Sequence, residues 1–444
     1  MNQLPDKKWV CNVCGFSSTG AEPPESCPQC GTDRDHFEEA HPGAKRYLII
    51  GAGVAGVSAA EAIRQSDPDG SLVLLSEEPE PPYFRMNLTR YLAGELDSSK
   101  LDLHPRTWFL DKRIELRLNS KAVDIDPRER RVVLSDGRVF PYDTLILTNG
   151  SSPFVPPFPG ANLPGVQTLR TLRDANQILE VCSKPVDVVC IGGGLLGLET
   201  AGAISKRGAR VSVVESLPWL LPRQLDQAAS AILQQKIEAM GIKVYTAAKT
   251  QALVGSDHVT GVQLEGGPLL PADLVIISAG VSANLDLARK AGLSVNRGIL
   301  VDDSMRSSDP HIFAAGDVCE HQGRMYGLWL PAKAQGGVAG LAAAGMPGVF
   351  AGDPPSARLK VLGIDLFSIG QFTPGESADV LLVDKTESAY ASFLFRSGVL
   401  VGSILLGDAS LAAPVKSAAD AHQDFSAELA RGISAAAFKE LLKA

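Results

Sequence analysis

The sequence predicts an α/β protein in which a unit of strand, loop, helix and strand occurs twice. The first copy is KRYLIIGAGVAGVSAAEAIRQ followed by SLVLLSEE, and the second is VDVVCIGGGLLGLETAGAISKRGARVSVVES. Both place the glycine spacing GxGxxG between an apolar strand and a helix rich in small residues, and both end in an acidic residue. This order is typical of a Rossmann-like dinucleotide-binding domain. Two CxxC pairs before the first copy predict an additional small metal-binding knuckle.

The composition narrows the class of partner. A chain of 444 residues predicts about two to four domains. Hydrophobic residues make up 45% and charged residues 21% of the chain, as in an ordinary globular enzyme. The formal net charge of -8 argues against nucleic acid or an anionic membrane, because both attract clustered lysine and arginine. A small ligand or a protein partner fits better.

The sequence shows no targeting or membrane segment. Its first residues, MNQLPDKKWV, lack the apolar core of a signal peptide, and no stretch reaches the roughly 18 consecutive apolar residues of a spanning helix. The nearest candidate, GGVAGLAAAGMPGVFAG, is better explained as a packed helix and its exit. We therefore expect a cytoplasmic protein with no membrane partner. Thiols stay reduced in that compartment, so the CxxC pairs are expected to bind metal or carry redox chemistry.

Four cysteines near the start have the spacing of a metal site: Cys11, Cys14, Cys27 and Cys30. Two CxxC turns that face each other bring four thiolates together tetrahedrally around one ion. A segment of about 35 residues buries too little surface to fold alone, so the metal is expected to supply much of its folding free energy. Gly15 and Gly31, directly after the pairs, suit turns with positive φ. On spacing alone, a structural zinc ribbon and an iron site are equally supported.

The first glycine loop has a separate role for each residue. Gly51 permits the tight turn, Gly53 lets a pyrophosphate approach the backbone, and Gly56 permits close helix packing. Glu77, at the end of the next strand, is expected to bind a ribose hydroxyl. A solvated acid at the strand end is the alternative for Glu77.

The second loop repeats these positions with Gly192, Gly194 and Gly197, and its second strand ends at Glu215. Two dinucleotides are therefore expected. The charge of Glu215 would repel a 2'-phosphate, and Ser216 follows where a basic residue might otherwise have met that phosphate. These features predict NAD(H) rather than NADP(H) at the second site, with a solvated acid again the alternative for Glu215.

The cysteine segment resembles a rubredoxin domain of the short type appended to rubrerythrins. The motifs WVCNVCGF and CPQCG together with Phe37 carry this resemblance over residues 7 to 38. It implies one iron ion held by the four cysteines. Trp9, Phe16 and Phe37 are then expected to form the small core around the metal rather than an electron path.

Two later stretches are similar to flavoproteins that bind two dinucleotides. YDTLILTNGSSPFVPPFPG resembles their ATG crossover, with Thr148, Asn149 and Gly150 in place of Ala-Thr-Gly. DPHIFAAGDVCEHQGRMYGLWLPAKAQGGVAGLAAAG resembles their GD motif, which implies that Asp317 binds the ribityl chain of FAD. The helix that follows is then expected to point its N-terminus at the isoalloxazine ring.

The stretch EEPEPPYFRMNLTRYLAGEL narrows the resemblance to a branch with NADH-rubredoxin reductases, ferredoxin reductases and the flavin domain of assimilatory nitrite reductase. The branch implies FAD contacts from Arg85 and Arg90, the latter replacing the usual lysine. It also implies an aromatic residue beside the flavin at Trp329 and a glutamate near the nicotinamide at Glu199. A buried structural tryptophan and a helix-face acid are the alternatives for these two positions.

The resemblance divides the chain into four parts. Residues 1–40 form the four-cysteine domain, 45–153 and 272–347 the FAD domain, 154–271 the NAD domain, and 350–444 a small α+β C-terminal domain for an interface or docking. The whole is expected to be an FAD/NAD(P)-binding fold with a rubredoxin-like knuckle. A homodimer is one assembly that the resemblance allows.

The sequence lacks the thiol relay that many relatives use. Disulfide reductases of this superfamily carry CxxxxC in the first helix after the FAD loop, and peroxidases and NADH oxidases carry one cysteine near PYFRMNLTR, but neither is present. Cys190 and Cys319 are expected to be buried and inert. Because flavin exchanges two electrons or one, the tetrathiolate iron is the expected acceptor.

The resulting hypothesis is an FAD-dependent NADH oxidoreductase that passes electrons through iron to a redox protein. Resemblance offers rubredoxin, rubrerythrin, superoxide reductase or a flavodiiron protein as that acceptor. The alternatives are a zinc docking module on an independent flavoenzyme and direct reduction of a small acceptor such as oxygen or a quinone. The linker EEAHPGAKR, nine residues and about 30 Å at most, enters at the sheet edge opposite the pyrophosphate. This position predicts a mobile shuttle or transfer to the flavin of a neighbouring subunit.

Overall fold

The computed structural model describes residues 7–11, 16–28, 31–40, 44–352 and 356–443, with the backbone alone at 8, 10, 38–40 and 356–361. The chain divides into two compact units. Residues 1–86, 98–152 and 281–352 belong to the first, and residues 87–97, 153–280 and 353–444 to the second. Among the described residues, no helix combines the length and the hydropathy that crossing a membrane requires.

The four-cysteine segment contains a small antiparallel sheet. Its strands are β1 (Lys7–Cys11), β2 (Ser17–Gly20) and β3 (Phe37–Ala40), and β1 is central. Cys11, Cys27 and Phe37 are buried together, with Trp9 and Phe16 packed against them. The predicted small core is therefore confirmed.

The next part of the chain begins a five-stranded parallel sheet. Its elements are β4 (Arg46–Ile50), α1 (Val54–Ser66), β5 (Ser71–Leu75), α2 (Leu88–Leu92), α3 (Arg106–Asp111), β6 (Glu115–Arg117), β7 (Ala122–Asp126), β8 (Arg131–Leu134), β9 (Val139–Pro141), β10 (Thr144–Leu147) and β11 (Ser151–Pro153). The strands of β4, β5 and β10 are almost entirely buried, as expected where helices and a second sheet cover both faces.

The central part repeats this order. It contains β12 (Val166–Gln167), α4 (Leu172–Val181), β13 (Asp187–Ile191), α5 (Leu195–Ser205), β14 (Arg210–Val214), α6 (Gln227–Ala239), β15 (Lys243–Tyr245), β16 (Thr250–Gly255), β17 (Val259–Leu264), β18 (Leu269–Pro271) and β19 (Leu274–Ile277). The parallel sheet has the order β12-β19-β13-β14-β15, and β16, β17 and β18 form an antiparallel meander.

The chain then returns to the first unit. The returning elements are β20 (Val281–Ala283), α7 (Asp286–Lys290), β21 (Ile299–Val301), β22 (Ile312–Ala314), β23 (Cys319–His321) and α8 (Trp329–Ala343). They complete a parallel sheet of order β22-β10-β4-β5-β6, beside the meander of β7, β8 and β9. The two units thus share one architecture, which confirms the predicted pair of Rossmann-like domains.

Helix α8 lies unusually close to α1. A side chain at Gly336 would stand 2.2 Å from the Ala55 carbonyl oxygen, and one at Gly340 would stand 2.4 Å from that of Ala59. Only glycine therefore fits at these two contacts. The glycine-rich stretch is a packed helix, as predicted from its sequence.

The last part is an antiparallel sheet with three helices. It comprises β24 (Ser356–Val361), β25 (Ile364–Gly370), β26 (Val380–Lys385), β27 (Tyr390–Arg396), β28 (Val399–Leu406), α9 (Ala412–Asp420), α10 (Ser426–Ala430) and α11 (Ala435–Leu441). Its core includes Phe393, Phe395 and Phe438 in edge-to-face contacts. This arrangement is the expected α+β domain.

The structure changes two predicted boundaries. Strand β19 pairs with β13 in the second sheet, so the return to the first unit occurs at Val281 rather than at residue 272. Helix α2, placed by prediction in the FAD domain, belongs to the second unit because Leu88 and Leu92 are buried there and α2 packs against α4 and α5.

The tether of the four-cysteine domain is shorter than predicted. Strand β3 ends at Ala40 and β4 begins at Arg46, so five residues connect them instead of nine. The distance they can span falls from about 30 Å to roughly 20 Å.

Candidate active site

The first glycine loop has the geometry that its spacing predicts. Gly51 has φ +104°, and an added Cβ would lie 2.3 Å from the Thr148 carbonyl oxygen. At Gly56 a Cβ would lie 2.0 Å from the Gly51 carbonyl oxygen, so the turn and the helix leave no room for a side chain. Gly53 differs, because nothing lies within 4 Å of its Cβ position. That open side is where a pyrophosphate could approach the N-terminus of α1.

The second loop reproduces this geometry closely. Gly192 has φ +118°, and an added Cβ would lie 2.3 Å from the Ser278 carbonyl oxygen. Gly197 would place a Cβ 2.0 Å from the Gly192 carbonyl oxygen, whereas Gly194 again has open space. The same division between structural and open positions therefore occurs in both units.

The two strand-end acids are not equivalent. The Gly51 amide donates to the Leu75 carbonyl and the Gly192 amide to that of Val214, so Ser76 stands at the position of Glu215. Glu77 comes one residue later, with its side chain 64% exposed and its carboxylate 3.5 Å from the Lys121 ammonium. A ribose contact from Glu77 remains a prediction.

Glu215 supports the second loop directly. Its side chain is buried, and Oε2 accepts a 2.7 Å hydrogen bond from the Gly193 amide while Oε1 accepts one of 2.8 Å from the Leu217 amide. Oε1 also accepts a 3.3 Å hydrogen bond from the Ser216 hydroxyl, so the remaining acceptor capacity for a ribose hydroxyl lies on Oε2. The discrimination against a 2'-phosphate that Glu215 predicts stays a prediction.

The crossover residues tie the first unit together. Thr148 Oγ1 lies 3.0 Å from the Ile50 carbonyl oxygen and 2.7 Å from that of Gly51, which holds the first glycine loop. Asn149 and Asn284 donate reciprocally to each other's backbone carbonyls at 2.9 and 2.7 Å. Gly150 has φ +64°. Asn149, which departs from the Ala-Thr-Gly pattern, is thus paired with Asn284, a partner that the sequence does not indicate.

Asp317 and Arg85 lie in the same unit and interact electrostatically. Asp317 Oδ2 accepts a 2.9 Å hydrogen bond from Ser151, and Arg85 pairs with Glu78 and contacts the Tyr83 ring. Arg85 is therefore held in place by its neighbours. The flavin contacts of Asp317 and Arg85 stay a prediction.

Trp329 begins helix α8 and stacks on Phe84 with ring centroids 6.1 Å apart. The Lys333 ammonium lies 5.5 Å from the Trp329 ring. Trp329 is partly buried at the predicted helix N-terminus. Its position suits both the flavin contact and the structural alternative.

Glu199 and Arg90 are not paired with each other. Arg90 contacts Glu95 at 3.4 Å and is about half exposed. Glu199, on α5, instead accepts a 3.1 Å hydrogen bond from the Thr89 hydroxyl. Burial raises the pKa of Glu199 and the Thr89 hydrogen bond lowers it, with burial the larger effect.

Three buried polar atoms test whether the first unit fits FAD. Asn149 Oδ1, Trp329 Nε1 and Gln335 Nε2 have no hydrogen-bond partner among the described residues. Buried polar groups normally have partners, so an acceptor and two donors without them indicate room for a polar ligand. The open side of Gly53 at the N-terminus of α1 fits the pyrophosphate of a dinucleotide such as FAD, and these unpartnered atoms lie in the same unit. The open side of Gly194 and the Glu215 carboxylate fit a second one.

The structure describes two of the four predicted metal ligands. Cys11 and Cys27 are buried, and their amides donate to the carbonyls of Phe16 and Thr32, each five residues later. Gly31 has the predicted positive φ, +75°. Cys14, Cys30 and Gly15 lie outside the described residues, so the four-sulfur site itself stays a prediction. Soft thiolates suit either iron or zinc.

The other cysteines have no accessible thiol. Burial raises the pKa of Cys182 to about 11, and that of Cys190 and Cys319 to about 12. We expect iodoacetamide at pH 8 to leave all three unlabelled in the folded protein, because on the order of one thiol in a thousand or fewer is ionised there. Mass spectrometry before and after unfolding checks this. Rapid labelling of native Cys319 would contradict it.

A repeated signal could have located the strand that pairs with β4 in the first sheet and with β13 in the second. PYDTLILTNG at 141–150 and PADLVIISAG at 271–280 occupy the same place in the two sheets. The second copy assigns β19 to the second unit. The partners Thr89, Asn284 and Gln335 carry no comparable local pattern.

Comparison with known families extends over almost the whole chain. Residues 45–336 match the family described as pyridine nucleotide-disulphide oxidoreductase. Residues 355–422 match the rubredoxin NAD+ reductase C-terminal domain, and residues 9–38 match the rubrerythrin, rubredoxin-like domain. These matches confirm the resemblances stated for all three parts of the sequence.

Individual relatives agree with this assignment. The chain is 36% identical over 374 residues to a nitrite reductase [NAD(P)H] of Bacillus subtilis, covering 83% of this chain and 46% of the relative. It is 32% identical over 380 residues to NADH-rubredoxin oxidoreductase of Clostridium acetobutylicum, covering 86% and 96%. The crystal structure of that oxidoreductase superimposes with a TM-score of 0.74 at 31% identity, covering 86% of this chain and 97% of the other.

The chain spans about half the length, or less, of the nitrite reductase relatives and of an assimilatory nitrate reductase electron transfer subunit of Bacillus subtilis. It spans nearly all of the Clostridium oxidoreductase. FAD and a nicotinamide nucleotide are the cofactors that the family supports. The matched glycine loops and the family comparisons agree: the chain belongs to the pyridine nucleotide-disulphide oxidoreductase family.

Proposed function

We propose that this protein is an NADH oxidoreductase that passes electrons through FAD to a rubredoxin-type tetrathiolate iron and then to a redox protein, with external rubredoxin as the first candidate. One observation carries the proposal. Outside the four-cysteine domain, the chain has only three cysteines, and all three are buried with raised pKa values. No thiol is therefore suited to take electrons beside the first glycine loop.

The second unit would bind NADH. The open side of Gly194 admits the pyrophosphate, and Glu215 receives the ribose hydroxyls while its charge disfavours NADP(H). Glu199 would lie near the nicotinamide. Because the Glu199 carboxylate is buried, its charge would interact more strongly with charge on the nicotinamide ring than it would in water.

The first unit would bind FAD. Gly53 admits its pyrophosphate, Asp317 receives the ribityl hydroxyls, and Arg85 supplies positive charge. The FAD contact that the resemblance implies for Arg90 stays a prediction. Asn149 Oδ1, Trp329 Nε1 and Gln335 Nε2 offer hydrogen bonds that the protein leaves unused among its described residues. The bound FAD would supply the chemistry that links two-electron oxidation of NADH to one-electron transfer.

Cys11, Cys14, Cys27 and Cys30 would hold the iron. Five residues join the four-cysteine domain to the amino end of β4. The glycine loop follows the opposite, carboxyl end of that strand. A reach of roughly 20 Å favours electron transfer to the iron from the flavin of a neighbouring copy over a wide shuttle within one chain.

A zinc-containing docking module is the second candidate, because the described cysteines fit zinc as well as iron. In that case the flavoprotein would reduce a small acceptor directly. The experiment compares the full chain with a chain that begins at residue 44, using NADH with rubredoxin, ferricyanide and oxygen as acceptors. The proposal predicts that truncation abolishes most rubredoxin reduction while ferricyanide reduction persists. Equal rubredoxin rates for both chains would reject it.

A further inference from the structure

The carboxylate of Glu199 accepts a hydrogen bond from a threonine hydroxyl. Thr89, on α2, is 6% exposed, and its hydroxyl donates to Glu199 Oε2 at 3.1 Å. Both residues lie in the second unit, where α2 packs against α5. A hydroxyl has one hydrogen to donate, and the geometry directs it to this carboxylate.

The cations nearby are engaged elsewhere. Glu95 contacts Arg90 at 3.4 Å and Lys206 at 2.8 Å, and Arg207 donates to the Leu92 carbonyl at 2.8 Å. Among the described charged groups of α2, α5 and the residues directly after them, Glu95 is the one whose charge bears on the pKa of Glu199, and its negative charge raises that pKa. Glu199 therefore depends on an uncharged donor.

We infer that Thr89 is a positioning residue for hydride transfer: its hydroxyl orients the Glu199 carboxylate and stabilises its ionised form at the nicotinamide site. The inference rests on the proposed function, which places Glu199 beside that ring. An ionised carboxylate there would favour NAD+, whose nicotinamide ring is positively charged, over NADH, whose ring is neutral.

The sign of the effect follows from the two opposing influences on Glu199. Burial raises the pKa of this carboxyl group, and the hydrogen bond from Thr89 lowers it. Removing the hydroxyl leaves burial unopposed, so the pKa rises further. Glu199 then remains protonated to a higher pH, and the carboxyl loses its fixed orientation.

The test uses oxidised, FAD-loaded enzyme and the near-isosteric variant Thr89→Val. Isothermal titration calorimetry measures NAD+ affinity across pH. We expect Thr89→Val to weaken NAD+ binding about tenfold near neutral pH, since a hydrogen bond to a charged group is lost. Affinity should recover as the pH rises. Thr89→Ser, which keeps the hydroxyl, should restore the native profile, and stopped-flow reduction of FAD by NADH should show the same shift of its pH midpoint.

Two further variants separate the possible failures. Glu199→Gln should remove this pH dependence altogether; if it leaves NAD+ binding and its profile unchanged, the placement of Glu199 in the proposed function is wrong. If Glu199→Gln alters the profile and Thr89→Val does not, the role of Thr89 is refuted. Should Thr89→Val fail to fold, Thr89→Ala removes the same hydroxyl with less bulk, and the same two outcomes decide.

Discussion

Replacing Gly53 by alanine should leave the protein folded and yet unable to retain FAD. Gly53 has φ -74°, which any residue adopts, and nothing lies within 4 Å of its Cβ position. The loss of the helix-capping glycine costs about 1 kcal/mol at most. The added methyl group would occupy the side through which the pyrophosphate approaches. We expect FAD affinity to fall by about a hundredfold or more, because charge-assisted backbone contacts are lost.

Gly51 provides the contrast within the same loop. Its φ of +104° and the 2.3 Å approach to the Thr148 carbonyl mean that Gly51→Ala strains the fold itself. The expected loss of stability is roughly 3 kcal/mol or more. Thermal unfolding of the flavin-free proteins measures this difference, and fluorescence titration with FAD measures affinity.

Gly194→Ala is the matched control in the second loop. Its position is equally open, so this variant should retain FAD and remain yellow while NADH no longer reduces the flavin efficiently. Two different phenotypes from two identical changes would assign the loops to different nucleotides. Full FAD retention by Gly53→Ala, or the same defect in both variants, would contradict the assignment.

Replacing Cys27 by serine should eliminate the metal and the electron exit together. Cys27 is buried with Cys11 and Phe37 in a core too small to be stable without an ion. Loss of one thiolate should therefore unfold the knuckle and lower rubredoxin reduction by about tenfold or more, as expected when an essential step of transfer is removed. Bleaching of FAD by NADH should continue.

Cys182→Ser is the control for this prediction. Cys182 is also buried but lies outside the four-cysteine domain, so its replacement should leave metal content and rubredoxin reduction as they were. Metal analysis and steady-state assays compare the two variants. Undiminished rubredoxin reduction by Cys27→Ser would show that electrons leave by another route.

The sequence predicts best where backbone geometry itself requires a residue type. Four glycines occupy such positions: Gly51, Gly56, Gly192 and Gly197. At each of them an added Cβ would lie 2.0 to 2.3 Å from a backbone oxygen. Their spacing along the chain therefore reports the turn and the helix contact directly. The duplicated fold follows from the same local patterns.

The partners of the candidate site could not be predicted in this way. Thr89 meets Glu199 across 110 residues, and Asn149 meets Asn284 across 135. Such pairs depend on how helices and strands pack, and ordinary polar residues carry no spacing signal for it. The structure pairs the half-exposed side chain of Arg90 with Glu95, and the FAD contact that the resemblance implies for Arg90 stays a prediction. The domain boundary at β19 differs for another reason. The sequence does contain a signal for it, because residues 271–280 repeat the strand motif of residues 141–150.

The proposed electron route runs from NADH through FAD and out through the four-cysteine iron. Its most direct test is an anaerobic titration of the unmodified protein with NADH, followed by metal analysis, visible absorption and electron paramagnetic resonance. We expect one iron per chain and a ferric-thiolate absorption that bleaches along with the flavin bands. Zinc in place of iron, or a ferric signal that persists after the flavin is fully reduced, would contradict it.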